Sequence, residues 1–225
     1  MNHLSGNETL RELVIRYPYT IDLLNRYRLD YTFKGSETLA EAIRGIAGDY
    51  DKISDDLNMA IDEFIISKPD VIYWENEPIG KIIDHIESKH HRFVKEIIDE
   101  ITILLETIIL PTEIRDLGGF FLSLKEKILN HLKQEERELF PLLREYSENR
   151  TSELRQKCLT IMERPRSEHD EAKTVLEQIN KMTNDLSLPD NSSPALCDLY
   201  KKLDALEKDT FIHIHMENSI LFKMI

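Results

Sequence analysis

One pattern occurs twice in this chain and constrains its fold more than any other feature. It consists of a histidine, a glutamate four residues later and a Leu-Phe pair after that: His131, Glu135 and Leu139-Phe140, then His213, Glu217 and Leu221-Phe222. Residues four apart lie on one face of an α-helix, so each copy places an imidazole beside a carboxylate. With 8 His and 42 acidic residues in 225 positions, about one or two such pairs are expected by chance. The His-Glu pairs alone are therefore weak evidence, but the Leu-Phe pair that follows both of them is not expected by chance. The repeated motif indicates a metal site in a helix bundle.

The composition favours an all-α protein that does not bind nucleic acid. Only 7 of the 225 residues are Gly and 41% are hydrophobic, which suits long helices around a core. The formal charge of -13 argues against nucleic acid or an anionic membrane as the main partner. No apolar stretch approaches the length of a bilayer span, and the N-terminus lacks the pattern of a signal peptide. Cys158 and Cys197 have no CxxC spacing, so a zinc knuckle or a thiol redox motif is not expected.

The chain divides by pattern into a small helical domain at 1–66, a linker at 67–78 and a four-helix bundle at 79–225. Capping boxes at Thr9 and Thr38 begin two of the four short helices predicted in the small domain. The bundle is predicted from four long periodic segments at 79–108, 113–147, 152–183 and 194–223. Short breaks between long helices imply antiparallel neighbours, in an up-down-up-down arrangement.

Four histidines are spaced so that the bundle brings them to one height. They are His91, His131, His169 and His213. Each lies about twenty residues, or roughly 30 Å, from the turns that connect its helix to the next. We therefore predict a single layer with one histidine from each helix, and with Glu135 and Glu217 one turn away. The remaining histidines are interpreted as surface or hydrogen-bonded residues: His3, His85, His90 and His215.

This set of side chains suits a metal site, although it leaves the metal open among Zn, Fe and Cu. Four His and two Glu can hold two metal ions if both carboxylates bridge them. The alternative is a polar core without metal, which is costly because six polar groups then need partners inside the bundle.

Several stretches resemble the hemerythrin-like domains and, more closely, the repair-of-iron-centres family of di-iron proteins. In the bundle they are Ile82-Ile-Asp-His-Ile86 through His91, residues 131–140, Ser167-Glu-His-Asp-Glu-Ala172 and residues 213–222. In the small domain they are Arg26-Tyr-Arg-Leu-Asp-Tyr31 and Gly35-Ser-Glu-Thr-Leu-Ala-Glu-Ala42. The resemblance thus covers nearly the whole chain and implies a hemerythrin-like bundle with a small N-terminal domain.

The resemblance also implies a cofactor and a cellular role. It assigns two non-haem iron ions with an oxo or hydroxo bridge, held by four terminal ligands and two bridging carboxylates. The terminal ligands are His91, His131, His169 and His213, and the bridging carboxylates are Glu135 and Glu217. The family is cytoplasmic, which leads us to expect O2, NO or peroxide as small ligands and damaged iron–sulfur proteins as partners. An oligomer is compatible with the sequence, and the chain is not expected to bind a membrane.

Three departures from the family pattern matter. Thr32-Phe33-Lys34-Gly35 stands where members usually carry Cys-Cys-Gly-Gly, so a role that needs the thiol pair is lost or rerouted. No histidine lies between the first two ligand histidines to supply the family's additional ligand, which leaves an open position or a substitute such as Glu106 or Glu113. Pro165 precedes His169 by four residues and is expected to kink or restart the third helix.

Two functional hypotheses follow, and the sequence leaves open whether the chain is an enzyme. The leading hypothesis is a di-iron protein that repairs iron–sulfur clusters damaged by nitrosative or oxidative stress. The alternative is a hemerythrin-like protein that binds or senses O2 or NO without repair activity, which the missing cysteine pair favours. A scaffold without metal is the third and simplest possibility. We assign no catalytic residue from sequence.

Overall fold

The computed structural model describes residues 4–67, 72–190 and 192–225, and these ranges form two compact units. The first unit comprises Met1–Glu77 with Glu217–Lys223, and the second comprises Pro78–Met216 with Met224–Ile225. Apart from one isolated bridge, the regular secondary structure within the described ranges is helical, which confirms the predicted all-α class. None of the helices described is long and apolar enough to span a bilayer. His3 and part of the predicted 67–78 linker lie outside the described residues.

The first unit contains the short helices that the sequence predicts. They are α1 (Leu10–Arg16), α2 (Ile21–Arg26), α3 (Leu39–Gly45) and α4 (Tyr50–Ser67). Their buried apolar side chains include Leu13, Leu24, Ile43 and Leu57. In the C-terminal segment of this unit, Ser219 accepts a hydrogen bond from Arg11 Nε at 3.2 Å.

Two capping boxes begin α1 and α3, and they are paired with each other. Each threonine hydroxyl accepts a hydrogen bond from the amide of the glutamate three residues on, and that glutamate accepts one from the threonine amide. Thr9 and Thr38 also form the antiparallel bridge, flanked by bonds from the Leu10 amide to the Glu37 carbonyl and from the Leu39 amide to the Glu8 carbonyl. The pairing satisfies amides that helix ends otherwise leave without intrahelical partners.

The second unit contains four helical rods in its described part. The first is α5 (Ile79–His85), a π-helical turn (Ile86–His91) and α6 (Arg92–Thr107); the second is α7 (Leu117–Gln134), a π-helical turn (Glu135–Leu139) and α8 (Phe140–Glu148). The third is α9 (Ser152–Ile161) and α10 (Glu163–Met182), and the fourth is α11 (Pro194–His215). A third π-helical turn (Met216–Ile220) follows α11 along the chain, and from Glu217 onward it belongs to the first unit. Short 3-10 turns lie at Pro18–Thr20, Trp74–Asn76, Thr112–Ile114 and Leu221–Met224.

The observed helices differ from the four predicted segments in two respects: the third segment is divided into two helices, and three π-helical turns occur. The third rod is interrupted at Met162, and Pro165 lies in the first turn of α10, where its missing amide is tolerated. The helix therefore restarts, as the proline predicted, and His169 keeps a place on α10. The π-helical turns were not predicted.

The apolar core of the bundle fills the part of the four rods beyond the histidines. Val94 and Ile101 on α6, Phe121 on α7, Leu176 on α10 and Leu203 on α11 are all fully or almost fully buried in one cluster. This packing holds the four rods together on one side of the histidine layer, so that the histidines can face one another.

We predict that Thr9→Ala destabilises the first unit by about 1 kcal/mol, because it removes the hydroxyl that accepts from the Glu12 amide. Urea unfolding of the full chain, followed by circular dichroism, measures the loss. Ser67→Ala is the control, since the exposed Ser67 hydroxyl only donates to the Phe64 carbonyl at the end of α4. An unfolding midpoint that moves equally in the two variants would contradict the capping role.

The same cap predicts a pH dependence. Hydrogen bonds from the backbone and the hydroxyl of Thr9 hold the pKa of Glu12 below its usual range. A carboxyl whose pKa is lower in the folded state stabilises above its unfolded pKa, and this contribution is lost as the pH falls through the folded pKa. The difference in stability between the native chain and Thr9→Ala should therefore narrow on acidification.

Candidate metal centre

The π-helical turns of the described ranges coincide with predicted ligands. His91 ends the first of these turns, Glu135 begins the second, and Glu217 is the second residue of the third. A π-helical turn holds more residues than an α-helical one and is found frequently at functional sites. The local winding of three rods is thus adapted at the height of the histidine layer.

The four predicted histidine ligands meet in two pairs. The Nε2 atoms of His91 and His213 are 3.3 Å apart, and those of His131 and His169 are 3.1 Å apart. All four side chains are buried. The prediction that each rod contributes one histidine to a common layer therefore agrees with this geometry.

The Glu135 carboxylate lies between the two pairs. Its Oε1 is 3.2 Å from His131 Nε2, while its Oε2 is 3.5 Å from His91 Nε2 and 3.7 Å from His213 Nε2. The side chain is 1% exposed, and neither oxygen lies in hydrogen-bonding geometry with a neighbour. Burial raises the pKa of Glu135, but the surrounding imidazoles of His131, His213 and His91 outweigh burial and hold the pKa well below its usual range. An ionised carboxylate in this position fits a cation between it and the imidazoles.

Glu217, the glutamate of the second copy of the repeated motif, is fully buried. One ligand atom each from His131, Glu135 and His213 lie within 4.8 Å of one another. Nitrogen and oxygen donors at such distances suit a transition metal such as iron or zinc. The side chains present therefore fit a metal centre.

Carboxylates outside the layer hold the outer nitrogens of two rings. His91 Nδ1 is 2.8 Å from Glu136 Oε1, and His131 Nδ1 is 2.8 Å from Glu168 Oε2. Such contacts fix the tautomer of a ligand histidine and turn its Nε2 inward. The Lys95 ammonium also contacts Glu136, at 2.6 Å.

Three acidic residues lie near ligand histidines in the sequence, namely Asp84, Glu168 and Asp170, and one of them is placed to orient a ring. Glu168 contacts His131, whereas Asp84 pairs with Arg144 at 2.7 Å and Asp170 is exposed. Glu136 was missed, although it lies next to a predicted ligand. Its adjacency to Glu135 was the available signal, but an α-helical register turns neighbouring residues to different faces.

The other described histidines contribute differently. His90 is buried, and its Nδ1 is 2.9 Å from Asp209 Oδ1, in agreement with the hydrogen-bonded role expected for it. Burial, with the neighbouring charges of His90 and Lys89, lowers the pKa of His85 to about 4. His215 is buried rather than on the surface.

Neither suggested substitute for the family's additional histidine reaches the centre. Glu106 and Glu113 are both exposed, and neither lines the cavity beside the histidines. Glu106 lies fifteen residues after His91, which is about 22 Å along a helix.

Comparisons with known proteins agree with this geometry. The family model described as "Hemerythrin HHE cation binding domain" matches residues 81–225. "Iron-sulfur cluster repair protein YtfE" of Cronobacter sakazakii is 30% identical over 222 residues, which cover 96% of this chain and 95% of that protein. Proteins of the same name from Escherichia coli O81 and Escherichia fergusonii are 29% identical over the same shares. The chain therefore belongs to the repair-of-iron-centres family of hemerythrin-domain proteins.

Proposed function

We propose that this chain holds two iron ions in its histidine layer and acts in the cytoplasm to repair iron–sulfur clusters damaged by nitrosative or oxidative stress. The observation that carries the proposal is the Glu135 carboxylate, whose two oxygens face different imidazole pairs. A bridging carboxylate between two metal ions requires that arrangement. The iron–sulfur cluster repair proteins that resemble the chain over nearly its whole length support the cellular role.

Each side chain has a distinct part in the proposed centre. His131 and His169 would hold one iron and His91 and His213 the other, because these are the pairs whose Nε2 atoms converge. Glu135 and Glu217 would bridge the ions and offset their charge. When bound, the iron pair supplies a site for O2, NO or peroxide and a source of electrons.

Two carboxylates at the edge of the layer orient imidazole rings for metal binding. Glu136 and Glu168 accept hydrogen bonds from the Nδ1 atoms of His91 and His131, which leaves the Nε2 lone pairs directed inward. Burial of the ligand side chains excludes bulk water from the centre.

A second candidate function is binding or sensing of O2 or NO without repair. It is favoured by the small domain, where Thr32 and Phe33 stand in place of the family's cysteines. A threonine hydroxyl does not ionise near neutral pH, and a phenyl ring has no lone pair to offer iron. The thiols that remain are Cys158, buried, and Cys197, half-buried, and both belong to the bundle unit.

We predict that a Glu135→Ala, Glu217→Ala double variant carries far less than two irons per chain, because both proposed bridges are removed. Elemental analysis of the purified protein measures this. Glu138→Ala is the matched control, since Glu138 lies in the same π-helical turn but pairs with Arg164 at the surface. Full iron content in the double variant would exclude the assignment of these two bridges.

Glu168→Gln should weaken iron binding by about 10- to 100-fold, because the amide no longer presents a charged acceptor to the His131 ring. Competition with a chelator of known affinity measures the change. Glu171→Gln provides the control, as Glu171 lies three residues away and pairs with the Lys127 ammonium instead. If the two variants lose iron equally, the Glu168 contact does not orient a ligand.

If donation of iron in this family depends on the thiol pair, this chain should bind iron but donate it poorly. The ferrous-loaded protein would be mixed with an apo cluster-scaffold protein and sulfide, and cluster formation followed by absorbance. A Thr32→Cys, Phe33→Cys variant should form clusters faster, whereas Cys197→Ser should not alter the rate. Equal, efficient transfer by the native chain and the double-cysteine variant would remove the main argument for sensing over repair.

A further inference from the structure

A second layer of side chains lies one helical turn from the ligand histidines. It contains Val94, Ile128, Ala172 and Thr210, each three residues from a histidine of its own rod. Val94 and Ala172 follow the histidine of their rod by three residues, whereas Ile128 and Thr210 precede theirs by three. Antiparallel neighbouring rods require this alternation if the four residues are to lie at one height. These four residues line one cavity together with His131, His169 and His213.

The cavity is small and mostly apolar. Its free volume is about 20 Å³, which is enough for one water-sized ligand. Lys127 and Glu168 also line it, but the Lys127 ammonium is paired with Glu171, and Glu168 is bonded to His131. Among the four residues of the second layer, Thr210 alone carries a hydrogen-bond donor on its side chain.

The Thr210 hydroxyl has no hydrogen-bond partner within the described ranges, although the residue is only 5% exposed. Other threonines inside the bundle helices donate to the carbonyl four residues earlier: Thr102 to Ile98, Thr107 to Ile103, Thr160 to Gln156 and Thr174 to Asp170. That local bond is the usual solution for a threonine in a helix. Thr210 does not use it, so its hydroxyl is free to serve a ligand in the cavity.

We propose that Thr210 donates a hydrogen bond to the outer atom of a diatomic or triatomic ligand bound at the metal centre. This inference rests on the iron site of the proposed function and assigns a positioning residue to it. Three walls of the second layer are apolar and offer such a ligand no bond, so the hydroxyl selects ligands with an acceptor atom at their far end. It also favours ligands that carry negative charge on that atom.

The experiment uses azide as the probe, on the full-length, iron-loaded protein. Thr210→Val keeps the shape of the side chain and removes the hydroxyl, whereas Thr210→Ser keeps the hydroxyl. Azide affinity should fall about tenfold in the valine variant and stay near the native value in the serine variant. The azide stretching frequency should shift in the valine variant alone. Thr174→Val is the control, since Thr174 lies on α10 rather than α11 and its hydroxyl donates to the Asp170 carbonyl of its own helix.

The metal-free protein gives an independent readout. Because the Thr210 hydroxyl lacks a protein partner, metal-free Thr210→Val should melt at or above the temperature of the native protein. A clear drop in that melting temperature, restored by Thr210→Ser, would show a structural role and overturn the proposal. Unchanged azide affinity in the valine variant, with full iron content, would overturn it while leaving the iron site intact. A native chain that binds no iron would remove the proposed function and this inference together.

Discussion

A buried, ionised carboxylate among imidazoles is the interaction on which the bundle depends. Removing a lone carboxylate from water costs several kcal/mol even after relaxation of the protein, so Glu135 at 1% exposure requires compensation. Its oxygens face His131 on one side and His91 and His213 on the other. A polar layer of this kind is tolerated only when each of its members has a partner. The outer contacts of Glu136 and Glu168 with the imidazole rings meet part of that requirement.

The backbone winding near the histidine layer also bears on how its polar side chains find partners. In a regular α-helix neighbouring residues point to different faces, yet the layer uses neighbouring residues on one rod. Glu135 lies within the layer, and Glu136 reaches His91 from outside it. On the first rod, His90 and His91 are both buried, one bonded to Asp209 and the other directed toward the centre. Consecutive side chains on these rods thus take part in one polar network, as Glu168 and His169 also do on the regular helix α10.

Much of the architecture could be predicted from local rules, whereas its finest features could not. The capping boxes at Thr9 and Thr38 and the restart near Pro165 follow from local chemistry, and the common height of the histidines follows from the rise of an α-helix. The π-helical turns have no comparable sequence signature. Glu136 was missed because its partner His91 lies on another rod, where no local rule places it. The assignment of six ligands came from the spacing and the family resemblance and stays a prediction, whereas the position of Glu135 between two imidazole pairs could not be read from the sequence.

The burial of the proposed ligand side chains affects the two candidate functions, binding of a small ligand and donation of iron, in different ways. The six proposed ligand side chains are at most 8% exposed, and the cavity beside them takes one small ligand. A ligand of about that size can therefore be bound with the rods in place. Donation of an iron ion requires more, because the ligands must separate and the ion must regain water or new ligands as it leaves. On the proposed function, binding is a property of the closed bundle, whereas donation depends on opening it or on a receiving group that reaches inside. The family's thiol pair is a chemically suitable receiving group for iron, and Thr32 and Phe33 cannot take that part in this chain.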